Sequence, residues 1–286
     1  MKVSTELYPW RHHFLGLSGL NLNYVDEGDG PAMLMVHGNP TWSFYYRHLI
    51  KAFSGHFRCV VPDHMGCGFS DKPQDYEYTL ENHIQNLEKL VSFLQLKDIT
   101  LVVHDWGGAI GMGFATRHPH LIKRVIVLNT AAFLSEDIPK RIALCKAGRF
   151  GEFLVRGLNG FAWPATFMAS KRGLSSEVKK AYLAPYDSWE NRVAVSRFVQ
   201  DIPLDNKHPS WKTLQKIEND LPKVTVPKLI VWGGKDFCFN RGFFERWLSI
   251  YPDAEAHWIA DAGHYVLEDA PKKAIESMVN FIGRTR

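Results

Sequence analysis

The stretch that decides the fold is LVVHDWGGAI, residues 101–110. Its first three residues form an apolar run typical of a buried strand, and Gly107 and Gly108 allow a tight turn into a helix. Asp105 therefore falls on the turn between them. A buried carboxylate is costly unless it is hydrogen-bonded or paired. The turn alone leaves two interpretations open, a helix N-cap or a carboxylate that takes part in chemistry.

The bulk composition indicates a globular protein. The chain has 286 residues, of which 45% are hydrophobic and 22% charged, and its formal net charge is +4. The densest basic clusters, Lys171-Arg172 and Lys179-Lys180, are only pairs, which argues against a nucleic-acid partner.

Targeting and redox features are absent from the sequence pattern. No run of about 18 apolar residues is present, and the N-terminus lacks the apolar segment of a secretory signal. We therefore expect a cytoplasmic protein with no membrane span. The cysteines form no C-x-x-C pair and are expected to be reduced thiols: Cys59, Cys67, Cys145 and Cys238.

Apolar runs alternate with helical patterns on both sides of Asp105. Several apolar runs predict buried strands: AMLMV, RCVVP, ITLVV, IKRVIVL and KLIVW. An earlier segment, LNLNYVDEG, alternates apolar and polar residues and predicts an antiparallel strand near a sheet edge. The helix that follows Thr79 has apolar residues at helical spacing, with Thr79 as its N-cap. The alternation predicts an α/β fold with a mainly parallel central sheet and helices on both faces.

The middle of the chain has a different pattern. Between about residues 131 and 210 the strand runs stop, and short helical patterns rich in aromatic residues replace them. We interpret residues 134–210 as a helical cap, or lid, inserted in a core made of residues 1–133 and 211–286.

Two further polar residues follow predicted strands, Asp236 and His264. The chain order Asp105, Asp236, His264 is that of nucleophile, acid and histidine in α/β-hydrolase folds. Because strand-end loops of a parallel sheet meet at one rim, the three side chains can converge there. We expect them to form a catalytic triad.

Five segments in order resemble haloalkane dehalogenases over nearly the whole chain, lid included. They are HGNPTWSFYYRHL, PDHMGCGFSDKP, VHDWGG, AYLAPYDSWENRVAVSRFVQDIPL and DAGHYVLEDAP. The segments PDHMGCGFSDKP and NTAAF look most like the branch that includes the β-lactone decarboxylases of bacterial long-chain olefin biosynthesis.

The resemblance implies a mechanism without a cofactor or a metal. Asp105 attacks carbon and forms an alkyl ester, His264 activates the water that hydrolyses it, and Asp236 orients His264. Asn39 and Trp106 stabilise the halide and the oxyanion.

The resemblance also implies possible roles in the site for three lid residues. Trp163 is a rival second halide donor in some relatives, although packing within the lid is the alternative interpretation. Tyr182 and Tyr186 stand as lid tyrosines that could contact substrate.

Several functions fit this pattern. Cleavage of the carbon–halogen bond of a haloalkane stands first, with a halide ion as product. The alternative is decarboxylation of a cis-dialkyl β-lactone to an alkene. An epoxide hydrolase is disfavoured because Asn39 stands where those enzymes have an aromatic residue. A non-enzymatic scaffold is disfavoured because the triad is complete. A homo-oligomer or a complex with biosynthetic partners stays open.

Overall fold

The computed structural model describes residues 3–285. Its centre is an eight-stranded sheet in the order β1-β2-β4-β3-β5-β6-β7-β8. The first two pairings, β1 with β2 and β2 with β4, are antiparallel, and all others are parallel. The strands are β1 His13–Leu17, β2 Leu20–Glu27, β3 Ala32–Val36, β4 Arg58–Pro62, β5 Ile99–Asp105, β6 Ile122–Thr130, β7 Lys228–Gly233 and β8 Glu255–Ile259. The predicted antiparallel strand near an edge is β2.

Helices cover both faces of the sheet. They are α1 Arg47–Phe53, α2 Leu80–Phe93, α3 Trp106–Arg117, α4 Lys140–Cys145, α5 Gly148–Glu152, α6 Ala162–Met168, α7 Ser176–Leu183, α8 Val193–Gln200, α9 Trp211–Asp220, α10 Arg241–Ile250, α11 Val266–Asp269 and α12 Pro271–Arg284. Short 3-10 helices lie at Ser43–Tyr46, Pro119–Leu121, Ala184–Tyr186, Glu190–Arg192 and Leu221–Lys223, and a π-helix at Phe153–Gly157. The predicted cap of α2 forms, since Thr79 Oγ1 accepts from the Asn82 N–H at 3.3 Å.

The central strands are apolar throughout because both of their faces are covered. In β3, Leu34 and Val36 belong to the hydrophobic cluster on one face, whereas Met33 and Met35 belong to the cluster on the other. Every residue of β3 and β5 is buried. The strand alternation thus divides one continuous apolar run between two cores.

Between β6 and β7 the described chain contains helices and loops, with no strand. Asp201, just after α8, ties this segment to the sheet domain: its carboxylate accepts from the Leu80 N–H at the start of α2 at 2.7 Å and from the Ser210 hydroxyl at 2.6 Å. The division into a core of 1–133 and 211–286 and a lid of 134–210 stays a prediction. No helix within residues 3–285 is long and apolar enough to cross a membrane.

Candidate active site

Asp105 occupies a strained turn between β5 and α3. Its φ is 52° and its ψ is −127°, a conformation that residues other than glycine rarely adopt. The turn needs small neighbours, because a Cβ at Gly107 would collide with the Val36 carbonyl and one at Gly108 with the Thr130 side chain. Asp105 stands at the N-cap position of α3 but makes no side-chain capping hydrogen bond, so capping does not account for its carboxylate. The strain instead presents the carboxylate at the carboxyl end of the sheet, as in a nucleophile elbow.

The structure brings the three predicted side chains together. His264 Nε2 lies 3.5 Å from Asp105 Oδ2, and His264 Nδ1 lies 2.8 Å from Asp236 Oδ2. The imidazole therefore stands between the two carboxylates, and all three residues are buried. Asp236 Oδ1 accepts the backbone N–H groups of Cys238 at 2.7 Å and Phe239 at 3.1 Å, which fixes the carboxylate toward His264.

The two carboxylates set the charge of the imidazole. Burial lowers the pKa of His264, but the negative charges of Asp236 and Asp105 and their hydrogen bonds outweigh burial and raise this pKa from 6.5 to about 10. Burial likewise raises the pKa of Asp105, but the hydrogen bond and positive charge of His264 bring it below the ordinary value. At neutral pH the site thus holds an ionised Asp105 beside a cationic His264.

Asn129, near the end of β6, is a site residue that was not singled out from the sequence. Its Nδ2 donates to Asp236 Oδ2 at 2.9 Å and to the Gly233 carbonyl at 3.1 Å, and its Oδ1 accepts the Gly233 N–H at 2.8 Å. Asn129 thereby joins β6 to β7 and positions the acid. The sequence feature that could have identified Asn129 is its position, since it is a polar residue near the end of a buried strand.

Asn39 and Trp106 both border the cavity above Asp105. The Asn39 backbone N–H donates to Asp105 Oδ1 at 2.6 Å, in the position expected of an oxyanion donor. The Asn39 side chain donates one N–H to the Val195 carbonyl of α8 at 3.1 Å, and its Oδ1 has no partner within residues 3–285. The half-buried Trp106 borders the same cavity, and its indole N–H can act only as a donor.

The three lid residues singled out from the sequence lie outside the cavity lining. Trp163 is 55% exposed and packs against Phe167, with the two rings tilted and their centroids 4.9 Å apart. The Tyr182 hydroxyl donates to Glu268 Oε1 at 2.5 Å, and the Tyr186 hydroxyl donates to the Thr41 carbonyl at 3.4 Å. Neither hydroxyl is directed at Asp105, as polarising an epoxide would require.

The cavity at Asp105 is mainly apolar and has two parts, of about 130 Å³ and about 380 Å³. Phe133, Leu214 and Phe243 border the smaller part, and Leu154 and Met168 border the larger. No cluster of three or more metal-ligating side chains occurs in the described part of the chain. The site can thus present a carboxylate nucleophile and anion donors to an apolar substrate.

Known proteins share this fold. The α/β-hydrolase fold family matches residues 31–271. The chain belongs to the α/β-hydrolase family. It is 47% identical to a cis-3-alkyl-4-alkyloxetan-2-one decarboxylase of Shewanella oneidensis, over 98% of this chain and 90% of the relative. It is 40% identical to a protein of the same name from Xanthomonas campestris pv. campestris, over 93% of each chain.

A solved structure extends the comparison to the dehalogenases. The crystal structure of the haloalkane dehalogenase DatA from Agrobacterium tumefaciens has a TM-score of 0.89 and 25% identity, over 99% of this chain and all of that chain. The predicted fold and the resemblance to haloalkane dehalogenases and their β-lactone decarboxylase branch are confirmed. The prediction of an enzyme is confirmed as well, since the relatives of this α/β-hydrolase are enzymes.

Proposed function

We propose that this α/β-hydrolase decarboxylates cis-3-alkyl-4-alkyloxetan-2-ones, which are four-membered β-lactones with two alkyl groups, to an alkene and carbon dioxide. The observation that carries this proposal is the 47% identity to the Shewanella oneidensis decarboxylase over 98% of the chain. The comparisons favour this alternative over carbon–halogen cleavage, which the sequence analysis placed first.

The first step of the proposed reaction opens the ring. A carboxylate oxygen of Asp105 attacks C4 of the lactone from the side opposite the ring oxygen. The C4–O bond breaks, the ring oxygen leaves as part of a carboxylate, and C4 becomes esterified to Asp105. An aspartate is already ionised at neutral pH, so this step needs no base. The new carboxylate is an anion, which the N–H groups of Trp106 and Asn39 and the charge of His264 would stabilise.

The second step releases both products without water. The bond between C3 and the carboxylate breaks and carbon dioxide leaves. The electron pair of the broken bond at C3 forms the C3–C4 double bond, and the bond from C4 to Asp105 breaks. Asp105 regains its charge, so no net proton or water is consumed. Inversion in the first step and anti elimination in the second together yield a cis-alkene from a cis-lactone.

The triad charges predict the pH dependence of alkene formation. Asp105 must be ionised, and its pKa is below the ordinary value, so acid is not expected to reduce the rate until well below pH 5. His264 stays cationic below its pKa of about 10. We therefore expect kcat/KM to be level from about pH 5 to about pH 9 and to fall as the pH passes 10. Stopped-time assays of alkene formation at each pH measure kcat/KM, and circular dichroism shows whether the enzyme stays folded. A rise of kcat/KM between pH 6 and pH 8 would contradict the expected level profile.

The proposal is tested by supplying a cis-3,4-dialkyl β-lactone in H₂¹⁸O. The expected products are the cis-alkene and carbon dioxide, and after many turnovers the peptide that contains Asp105 carries no ¹⁸O. A hydrolytic cycle, in which water attacks the ester carbonyl, would instead place ¹⁸O in the Asp105 carboxylate. Release of a β-hydroxy acid without alkene would overturn the proposed function.

Carbon–halogen cleavage stays the second candidate, with a haloalkane as substrate and a halide ion as product. The observation in its favour is that Trp106 and Asn39 border the same cavity as Asp105. In both candidate reactions the substrate is a small apolar molecule. We propose that the enzyme acts in the cytoplasm; a homo-oligomer or a complex with biosynthetic partners is compatible with the proposed role.

A further inference from the structure

The two parts of the cavity meet at the nucleophile. Asp105 and Asn39 border both of them. So do Ile142 and Phe161, which come from the lid segment, and Cys238 of the loop after β7. The polar groups therefore lie at the junction, and the two parts extend from it in different directions.

The first arm, of about 130 Å³, lies between the core and lid residues that include Ile138, Val199 and Ile202. It is bordered by Ala131 and Phe133 after β6, by Leu214 of α9 and by Phe243 of α10. The second arm, of about 380 Å³, runs into the lid. It is bordered by Leu154, Ala165 and Met168, and by Phe237 and Tyr265 on its core side. Both arms are lined mainly by apolar groups, so each suits a hydrocarbon chain.

We propose that the two arms hold the two alkyl groups of the substrate separately, one chain in each arm. This inference rests on the proposed function. The two alkyl groups are attached to adjacent ring carbons, so both chains must begin within reach of Asp105 and then diverge. A substrate with one chain needs a single apolar channel from the nucleophile. Two apolar arms that join at Asp105 fit a substrate with two chains.

The arms differ in volume, which adds selectivity. Both arms are bordered by residues of the sheet domain and by residues of the lid segment. We expect the longer chain of an unsymmetrical substrate to occupy the second arm, which has the larger volume. The side chains that border both arms, Ile142 and Phe161, are specificity-determining residues because they lie where the two chains diverge.

A matched pair of variants tests the separation. Ala131→Phe narrows the first arm, and Ala165→Phe narrows the second arm; both alanines are partly exposed cavity residues outside the triad. The substrates are cis-3-octyl-4-methyl, cis-3-methyl-4-octyl and cis-3,4-dioctyl β-lactones. Thermal unfolding establishes that both variants fold, and the smaller substitutions Ala131→Leu and Ala165→Leu give a graded series.

We expect opposite preferences. Each Phe variant loses at least about tenfold in kcat/KM for one mono-octyl isomer and for the dioctyl lactone, and stays near wild type for the other isomer. The sensitive isomer changes between the two variants. If both variants impair the same isomer, impair all three substrates equally, or impair none, the proposal is overturned. Equal impairment of all three substrates by Ala165→Phe would identify the second arm as a route for substrate entry or product release.

Binding separates this proposal from the proposed function. The same substitutions in an Asp105→Asn background allow the dissociation constants of the three lactones to be measured by calorimetry without turnover. The exchanged isomer preference in binding supports the two arms even if the wild-type enzyme forms no alkene, which would refute the proposed function alone. Alkene formation with no exchanged preference in binding or turnover would refute the two arms alone.

Discussion

Asp105→Asn is expected to reduce alkene formation from a cis-dialkyl β-lactone by at least about 10⁴-fold, the scale on which loss of a nucleophile acts in a triad. The amide is neutral and cannot displace the ring oxygen from C4. Its size matches the carboxylate, and the hydrogen bond from the Asn39 N–H to the side-chain oxygen at 2.6 Å can still form. The change therefore removes the charge and leaves the turn intact.

The measurement is alkene yield by gas chromatography, with intact-protein mass spectrometry to show that the asparagine has not reverted to aspartate. Asp137→Asn is the matched control, because Asp137 borders the same cavity while its carboxylate accepts from Asn240 Nδ2 at 2.6 Å, away from the triad. We expect this control to keep near-wild-type activity. Substantial alkene formation by fresh, unreverted Asp105→Asn would contradict the nucleophile role.

The parts of the site that sequence reasoning predicted are those set by local pattern. The run at Leu101–Val103 and the pair Gly107-Gly108 place Asp105 on a turn within ten residues. Asp236 and His264 likewise follow strands, and parallel strands bring their carboxyl ends to one rim. Once the alternation of strands and helices is recognised, the meeting of these three side chains follows from topology.

The parts that could not be predicted depend on contacts between distant segments. Tyr182 is directed away from the cavity because its hydroxyl bonds to Glu268, which also pairs with buried Arg47. The exposure of Trp163 could not be predicted either. Its helix, α6, has only seven residues, too few for a sequence pattern to distinguish the outer face from the inner one. The bond from Asn129 to Asp236 spans 107 residues, and no local motif marks it.

His264→Gln is expected to separate the two candidate chemistries. With a β-lactone, the ester on Asp105 breaks down by loss of carbon dioxide and needs no water, so turnover should continue. The rate should fall by about 10² to 10³, because the cation beside the developing carboxylate is lost. With 1-bromobutane as a probe, the ester can leave only by hydrolysis. There the variant should release one bromide per chain and stop with a butyl group on Asp105.

The charge on His264 depends on the state of Asp105, which explains why one histidine can serve both reactions. In the free enzyme two carboxylates hold the pKa of His264 at about 10, so it is a cation and no base. Once Asp105 is esterified, one of those negative charges is gone, which lowers the pKa of His264. Water activation then becomes feasible in the hydrolytic cycle alone. In decarboxylation, the cation is already in place for the carboxylate that the ring opening creates.

The experiment monitors alkene, bromide and intact mass for wild type, His264→Gln and Asp236→Asn. Asp236→Asn serves as the graded comparison, since it keeps the imidazole but weakens its charge. We expect its loss of alkene formation to be smaller than that of His264→Gln. A stable lactone-derived ester on His264→Gln, with no alkene, would mean that the ester needs His264 and water to leave. The lactone would then follow the hydrolytic cycle, and Asp105 would be regenerated by water rather than by loss of carbon dioxide.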